Sequence, residues 1–400
     1  MAHIGTFVVY IIMICAVIGA IASIIDSESE LGREFNAGLH AIGYIFIPVA
    51  GIMASIPYLS AFIIAFVGPI FQAVNADPAM AATSIIATDM GGYQLAQALA
   101  LSKEGWIMAT VTGFMAGATI IFSIPVGLAM LDKEDHQYMA VGIMCGVLAI
   151  PVGVLVSCLA MGIMDVSIRP DINAAGEAST QLALNTLEVL RNIAPLIVFC
   201  LVLATCLKLF PKAMIRGFLA FGRVMYAAIT LVLVCSIVEY FTGFFSATFG
   251  SWGFDPIIAD EKDQFRALEI AGYIGIMLSG AFPMVWLMNR FLQRPMQWVG
   301  GRLGLSSAGT AGLLAASANV LAMFRLIKDM PPRDKVLVIS FAVCGAFMFG
   351  DHLAFSANFQ PTLILPLLLG KLAGGITGFV FAIWLQGSRE RAERKEALRL

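Results

Sequence analysis

The sequence predicts an all-α polytopic membrane protein: about nine crossings plus two broken, re-entrant helical segments, arranged as an inverted repeat. Three observations lead there. The 400 residues are 60% hydrophobic and only 12% charged, with a mean hydropathy of +0.89, whereas soluble domains carry about 25% charged residues. Apolar runs close to the roughly 20 residues needed to span hydrocarbon recur along the whole chain. Two further apolar runs are broken at their centres by polar residues and glycine.

In chain order, residues 1–6 carry no Lys or Arg, so 7–25 lacks the charged start of a signal peptide and reads as the first membrane helix. Runs at 41–71, 106–130, 138–163, 187–208, 215–245, 267–290, 336–359 and 362–386 read as the other crossings. The stretch 79–100 breaks at Asp89-Met90-Gly91-Gly92, and 308–328 breaks at Ser317-Ala318-Asn319. Glycine costs a helix about 1 kcal/mol, and Asp or Asn bonds its own backbone in turns. Each stretch therefore either crosses with a kink or enters and returns as a hairpin.

Charge decides between the two, because Lys and Arg favour the cytoplasmic side. Arg389, Arg391, Arg394, Lys395 and Arg399 place the tail inside. Counting back, Arg325, Lys328, Arg333 and Lys335 also fall inside. If 308–328 is a hairpin, the loops with Arg290, Arg294 and Arg302 and with Lys208, Lys212 and Arg216 return to the cytoplasm, and the acidic loop 255–263 lies outside. A separation of 228 residues carries Gly117-Ala118 onto Gly345-Ala346 and Ser123 onto Asp351. With both broken stretches as hairpins, five crossings part matching points, so the second copy is inverted. The expected division is a first repeat at 1–163, a connecting loop and linker helix at 164–214, a second repeat at 215–386 and a charged tail at 387–400.

Several function classes drop out. A net charge of −2 with no basic stripe excludes a nucleic-acid binder. The seven Cys lie within apolar runs without metal-ligand spacing and read as small packing residues, so no metal site and no cofactor is expected.

The strings Thr88-Asp89-Met90-Gly91-Gly92-Tyr93, Ile121-Phe122-Ser123-Ile124-Pro125, Gly350-Asp351-His352-Leu353 and Gly370-Lys371-Leu372-Ala373-Gly374-Gly375 together resemble the EutH ethanolamine transporter family, in order from about residue 36 to 384. The resemblance implies a multi-pass permease of the cytoplasmic membrane that brings ethanolamine to ethanolamine utilisation. Composition and spacing alone reach only a transporter of a small polar solute. Two features depart from the family pattern: the charged tail after Gln386, and Asn319-Val320 where the family tends to carry two adjacent Asn.

Ethanolamine is mostly an ammonium at neutral pH with a hydroxyl two carbons away, so its site needs a carboxylate or aromatic face and a donor–acceptor. Asp89 is the first candidate for the ammonium, because a charge at mid-membrane costs ~2.5–3.5 kcal/mol and persists where it faces a cavity, partner or substrate path. Its competing role is to cap the helix that follows. Gly91 and Gly92 would let backbone approach the ligand or simply turn the chain; Tyr93 would offer an aromatic face or pack. Asp351 would be a second cation ligand or proton site and His352 a pH-sensitive relay, or the two a buried polar pair. Lys371 would snorkel to the surface or neutralise Asp351. Ser123, Ser317 and Asn319 would bind the hydroxyl or bridge helices. The sequence leaves room for a coupling proton or Na⁺ and for a homo-oligomer in the lipid bilayer. A channel for small amines and an intramembrane aspartyl protease are the alternatives. The second lacks its Gly-x-Gly-Asp form, since Met348-Phe349-Gly350-Asp351 has no first glycine.

Overall fold

A computed structural model describes the backbone of residues 2–397 and the side chains of 4–387. The tail cations Arg389, Arg391, Arg394 and Lys395 lie outside the described side chains, and Arg399 lies outside the described residues. The helices are α1 (Ala2–Ile25), α2 (Glu30–Ala54), α3 (Ile56–Ala73), α4 (Ala79–Thr83), α5 (Gly92–Leu99), α6 (Lys103–Met130), α7 (His136–Ile163), α8 (Thr186–Leu209), α9 (Pro211–Thr242), α10 (Phe244–Phe249), α11 (Ala267–Arg302), α12 (Ser307–Ala318), α13 (Val320–Ile327), α14 (Pro332–Gly345), α15 (Asp351–Phe359) and α16 (Ile364–Ala397). A two-residue ribbon, Ser167–Ile168 against Thr180–Gln181, sits in the loop after α7.

Nine of these helices are long and apolar enough to cross a membrane. That set differs from the runs in the sequence at two places, 41–71 and 336–359. The run 41–71 is two helices, α2 and α3, because the chain breaks at Ser55 and Pro57 restarts it at the first turn. α2 also begins earlier, at Glu30, where the Ser29 hydroxyl accepts from the Gly32 N–H at 3.2 Å. α3 stays beside one face: the Tyr58 ring lies tilted against Phe254 with centroids 4.6 Å apart, and a Cβ on Gly68 would touch Pro78. The run 106–130 stays helical past Pro125, with a π-helical stretch at Gly113–Ser123 before it. The run 336–359 does break, at 346–350 between α14 and α15, with Phe347 at φ +59.

Both broken stretches are hairpins with pinned necks. In the first, Asp77 accepts from the Ala79 N–H at 2.9 Å and from the Leu101 N–H at 2.8 Å, so the start and end of 77–101 lie together. Asn192 on α8 accepts from the Asp77 N–H at 2.6 Å. In the second, Asp334 accepts from the Ser306 N–H at 2.7 Å, and Arg333 donates to the Gly304 carbonyl at 2.6 Å. The first neck lies on the face that carries the acidic 255–263 loop, whose Asp255 N–H donates to the Ala54 carbonyl at 2.9 Å. The second neck lies on the opposite face, beside Arg302, Arg333 and Lys335.

Helices pair closely through glycine. Gly38 of α2 lies on the Leu278–Ser279 backbone of α11, and Gly275 lies against Ile42. On the other side Gly153 of α7 meets the Gly370 carbonyl, and Gly146 meets Gly378 of α16. Small residues let backbones approach where packing rather than water exclusion drives association. Two bundles result. α1, α2, α9 and α11 form one; the hairpins, α6, α7, α8, α14, α15 and α16 form the other.

On the basic face a buried ion pair joins the loop before α7 to α14: Lys335 Nζ lies 2.5 Å from Asp135 Oδ1, with side chains about one-tenth exposed. Asp135→Ala should cost about 3–5 kcal/mol by leaving the lysine charge buried and unpaired. The thermal midpoint of purified protein should fall, and Lys335→Met added to that variant should recover most of the loss. An unchanged midpoint in the single variant refutes the pairing.

Candidate functional site

The two hairpin tips border one cavity. The first tip turns because the Ala87 carbonyl accepts from both the Met90 and Gly92 N–H groups, with Gly91 at φ +92. That left-handed conformation is open to glycine at little cost. The second tip turns at Asn319, whose side chain accepts from the Leu321 N–H at 2.8 Å and so caps α13. The unwound 346–350 segment fastens to it: Phe347 N–H donates to Ala316 and Phe349 N–H to Ser317. Each tip also presses on a glycine that follows it in the chain, Gly117 within α6 and Gly350 at the end of the unwound segment. A Cβ on Gly117 would overlap the Ile86 carbonyl oxygen, and one on Gly350 would overlap that of Ala318.

Between the tips and the first bundle lies a cavity of about 420 Å³. Its polar lining is Asp89, Asn319, Asp351, His352, Tyr44 and Arg325; Met90, Phe122, Phe347 and Phe282 supply apolar and aromatic walls. Asp89 Oδ2 stands 3.9 Å from His352 Nε2, and neither Asp89 Oδ1 nor His352 Nδ1 has a hydrogen-bond partner among the described residues. α5 begins at Gly92 with no side-chain cap, so the capping role considered for Asp89 is absent. Asp351 opens α15 and His352 follows it, 1% exposed, its ring 4.8 Å from Phe114 and 5.2 Å from Phe347.

The remaining candidates fall elsewhere. Gly91 and Gly92 serve the turn: a Cβ on Gly91 would crowd Ile52, and one on Gly92 would strike the Ala87 carbonyl. Tyr93 is fully buried behind the tip between Trp106 and Phe355, its hydroxyl accepting from Gln360 Nε2 at 2.8 Å. The Ser317 hydroxyl donates to the Leu313 carbonyl at 3.0 Å. Ser123 borders a separate gap of about 20 Å³. Lys371 neither snorkels nor pairs with Asp351. It is 1% exposed and donates to the Phe114 carbonyl at 2.9 Å, within the π-helical stretch. Sequence reasoning missed Tyr44, Arg325, Phe122, Phe282 and Phe347 as lining, and Asp77 and Asp334 as pins. Only the pins left a local signal, an acid immediately before Pro78 and one following Pro331-Pro332-Arg333.

Opposed hairpins around a charged, partly aromatic cavity between two helical bundles place the molecule among multi-pass membrane transporters rather than enzymes. The chain belongs to the family of ethanolamine utilisation protein EutH, whose model matches residues 4–385. It is 33% identical over 383 residues to the "Probable ethanolamine permease EutH" of Listeria monocytogenes, covering 96% of this chain and 94% of that protein. It is 35% identical over 360 residues to the protein of the same name from Escherichia coli, covering 88% and 85%. It is also 32% identical over 389 residues to the "Uncharacterized protein YxeR" of Bacillus subtilis, covering 97% and 96%. No solved structure matches.

Proposed function

We propose that the protein imports protonated ethanolamine across the cytoplasmic membrane by alternating access, with the basic face and the C-terminus inside. One observation carries the reading. Asp89, at a hairpin tip deep in the molecule, lines a cavity shared by two bundles, and its Oδ1 has no hydrogen-bond partner among the described residues. The ammonium pairs with Asp89, with Asp351 as the second carboxylate; Asn319 and His352 serve the hydroxyl, and Phe122 and Phe347 supply faces for the methylenes and the cation. Charge-assisted bonds of this kind are about twice as strong as neutral ones.

The architecture supports movement. Hairpins with necks on opposite faces, each with its tip packed on a glycine further along the chain, suit an inverted repeat of 1–163 and 215–386 joined through 164–214. The hairpin-bearing bundle then carries the site past the α2–α11 pair. Asp351 or His352 couples the step to protons. The permeases named among the relatives support ethanolamine as the cargo.

Purified protein in vesicles should take up radiolabelled ethanolamine saturably and show counterflow against unlabelled ethanolamine. An imposed pH gradient should change the rate, with Na⁺ absent. Flux that rises linearly without counterflow means a channel. Saturable flux indifferent to both pH and Na⁺ gradients means facilitated diffusion.

A further inference from the structure

A second cavity, of about 380 Å³, opens on the acidic face between the first hairpin and the 255–266 loop. Gln94, Gln97, Asp255, Arg266, Met53 and Ile172 border it. Gln94 lies on α5, which starts at the hairpin tip, so it stands one turn beyond Gly91 on the way from this face to Asp89. Its side chain is 7% exposed, and neither its amide oxygen nor its amide nitrogen has a partner among the described residues. A buried carboxamide with both ends unmet costs free energy unless something in the cavity meets it.

The charges beside it are sorted. Arg266 is held by Asp260 at 3.1 Å and by Asp263 at 3.6 Å. Asp260 is kept below the ordinary carboxylate range, chiefly by the Asp263 backbone N–H, so it stays charged to hold the guanidinium. Asp255 feels Arg266 only at longer range: among the described residues its carboxylate accepts no hydrogen bond and makes no ion pair, while its backbone is fixed to Ala54. Burial pushes its carboxyl up, a direction that a cationic partner would reverse. The cavity is therefore bordered by a carboxylate with no hydrogen bond or ion pair of its own and by a carboxamide whose two ends are unmet. That pair suits a small ion with an ammonium at one end and a hydroxyl at the other.

We propose that this cavity is an outer binding subsite for a small hydroxyalkylammonium ion, with Asp255 taking the ammonium and Gln94 the hydroxyl before the ion moves on to Asp89. The inference rests on the reading of the protein as an importer loaded from its acidic face. The subsite concentrates cations at the mouth of the path, so it governs capture rather than turnover.

Initial rates of radiolabelled ethanolamine uptake by intact cells test it, with membrane abundance of each variant measured in parallel. Asp255→Asn and Gln94→Leu should each raise KM about fivefold, the scale of one partly screened charge or hydrogen bond, with Vmax within about twofold. Asp255→Glu should restore the wild-type KM, and Asp255→Lys should raise it further than Asp255→Asn does. Asp255 is in a half-exposed loop, so its variants report even if Gln94→Leu folds poorly. Wild-type uptake with unchanged KM in Asp255→Asn overturns the subsite alone, as does a fall in Vmax at unchanged KM. No saturable uptake by the wild-type protein overturns the transport reading and the subsite with it.

Discussion

Asp89→Asn should reduce ethanolamine uptake by about 100-fold or more at unchanged membrane abundance. The substitution keeps the size and shape of the side chain, and the turn does not depend on its charge, because Ala87, Met90, Gly91 and Gly92 close it through backbone bonds. What it removes is the anion. Truncating one partner of a buried, hydrogen-bonded charge pair costs about 2–5 kcal/mol, and each 1.4 kcal/mol is tenfold in affinity. At mid-membrane the loss should fall at the top of that range, since water cannot replace the carboxylate. The Asn variant should also lose its contact with His352, now 3.9 Å away. Uptake by Asp89→Asn at the wild-type rate, with normal abundance, removes Asp89 from the ammonium site. Equal loss in Tyr93→Phe would also count against the assignment, because Tyr93 lies outside the cavity and that change deletes only an acceptor for Gln360.

The plan of the molecule was legible in the chain because lipid imposes a length and loops carry charge. Spans of about 20 apolar residues fixed most crossings, and the loops with Arg290, Arg294 and Arg302 favoured returning hairpins over kinked helices. α3 escaped that logic. Its 18 residues meet the length and hydropathy of a span, yet Tyr58 and Pro78 tie it to one face through tertiary contacts that no local pattern encodes. The site was legible by residue type but not by direction. A helix apolar all round gives no stripe to say which side faces the core, so Ser123, Ser317 and Asp351 looked alike as cavity candidates. Gly91 in the left-handed region turns the chain at the tip, and this sends Tyr93 behind the hairpin while Asp89 stays in front. Lys371 shows the same limit. Its two turns of depth in the last apolar run suggested a surface escape or a carboxylate partner, but a π-helical stretch on another helix supplies the carbonyl that receives it.

Gly117→Val and Gly350→Val should each abolish uptake although neither substitution alters Asp89, Asp351 or His352 themselves. Both glycines sit where the chain touches a hairpin tip backbone to backbone, Gly117 within α6 and Gly350 just before α15. Any Cβ at Gly117 would displace the Ile86 carbonyl, three residues before Asp89, and one at Gly350 would displace Ala318, beside Asn319. The obstacle in each case is main chain, which cannot swing aside as a flexible side chain can. Overpacking of this kind costs about 1–3 kcal/mol, so the bundle should survive with a lower thermal midpoint. The tips would still shift, and a ligand held between them loses alignment with the carboxylate; a misplacement of about 1 Å in such a constellation is worth about 100-fold. Gly43 and Gly272 are the controls. A Cβ at either meets nothing within 4 Å, and alanine should stabilise the helix by up to about 1 kcal/mol with uptake unchanged. Full activity in Gly117→Val or Gly350→Val would mean that the tips need not stay pressed to their helices, and the cavity between them would then be no fixed binding site.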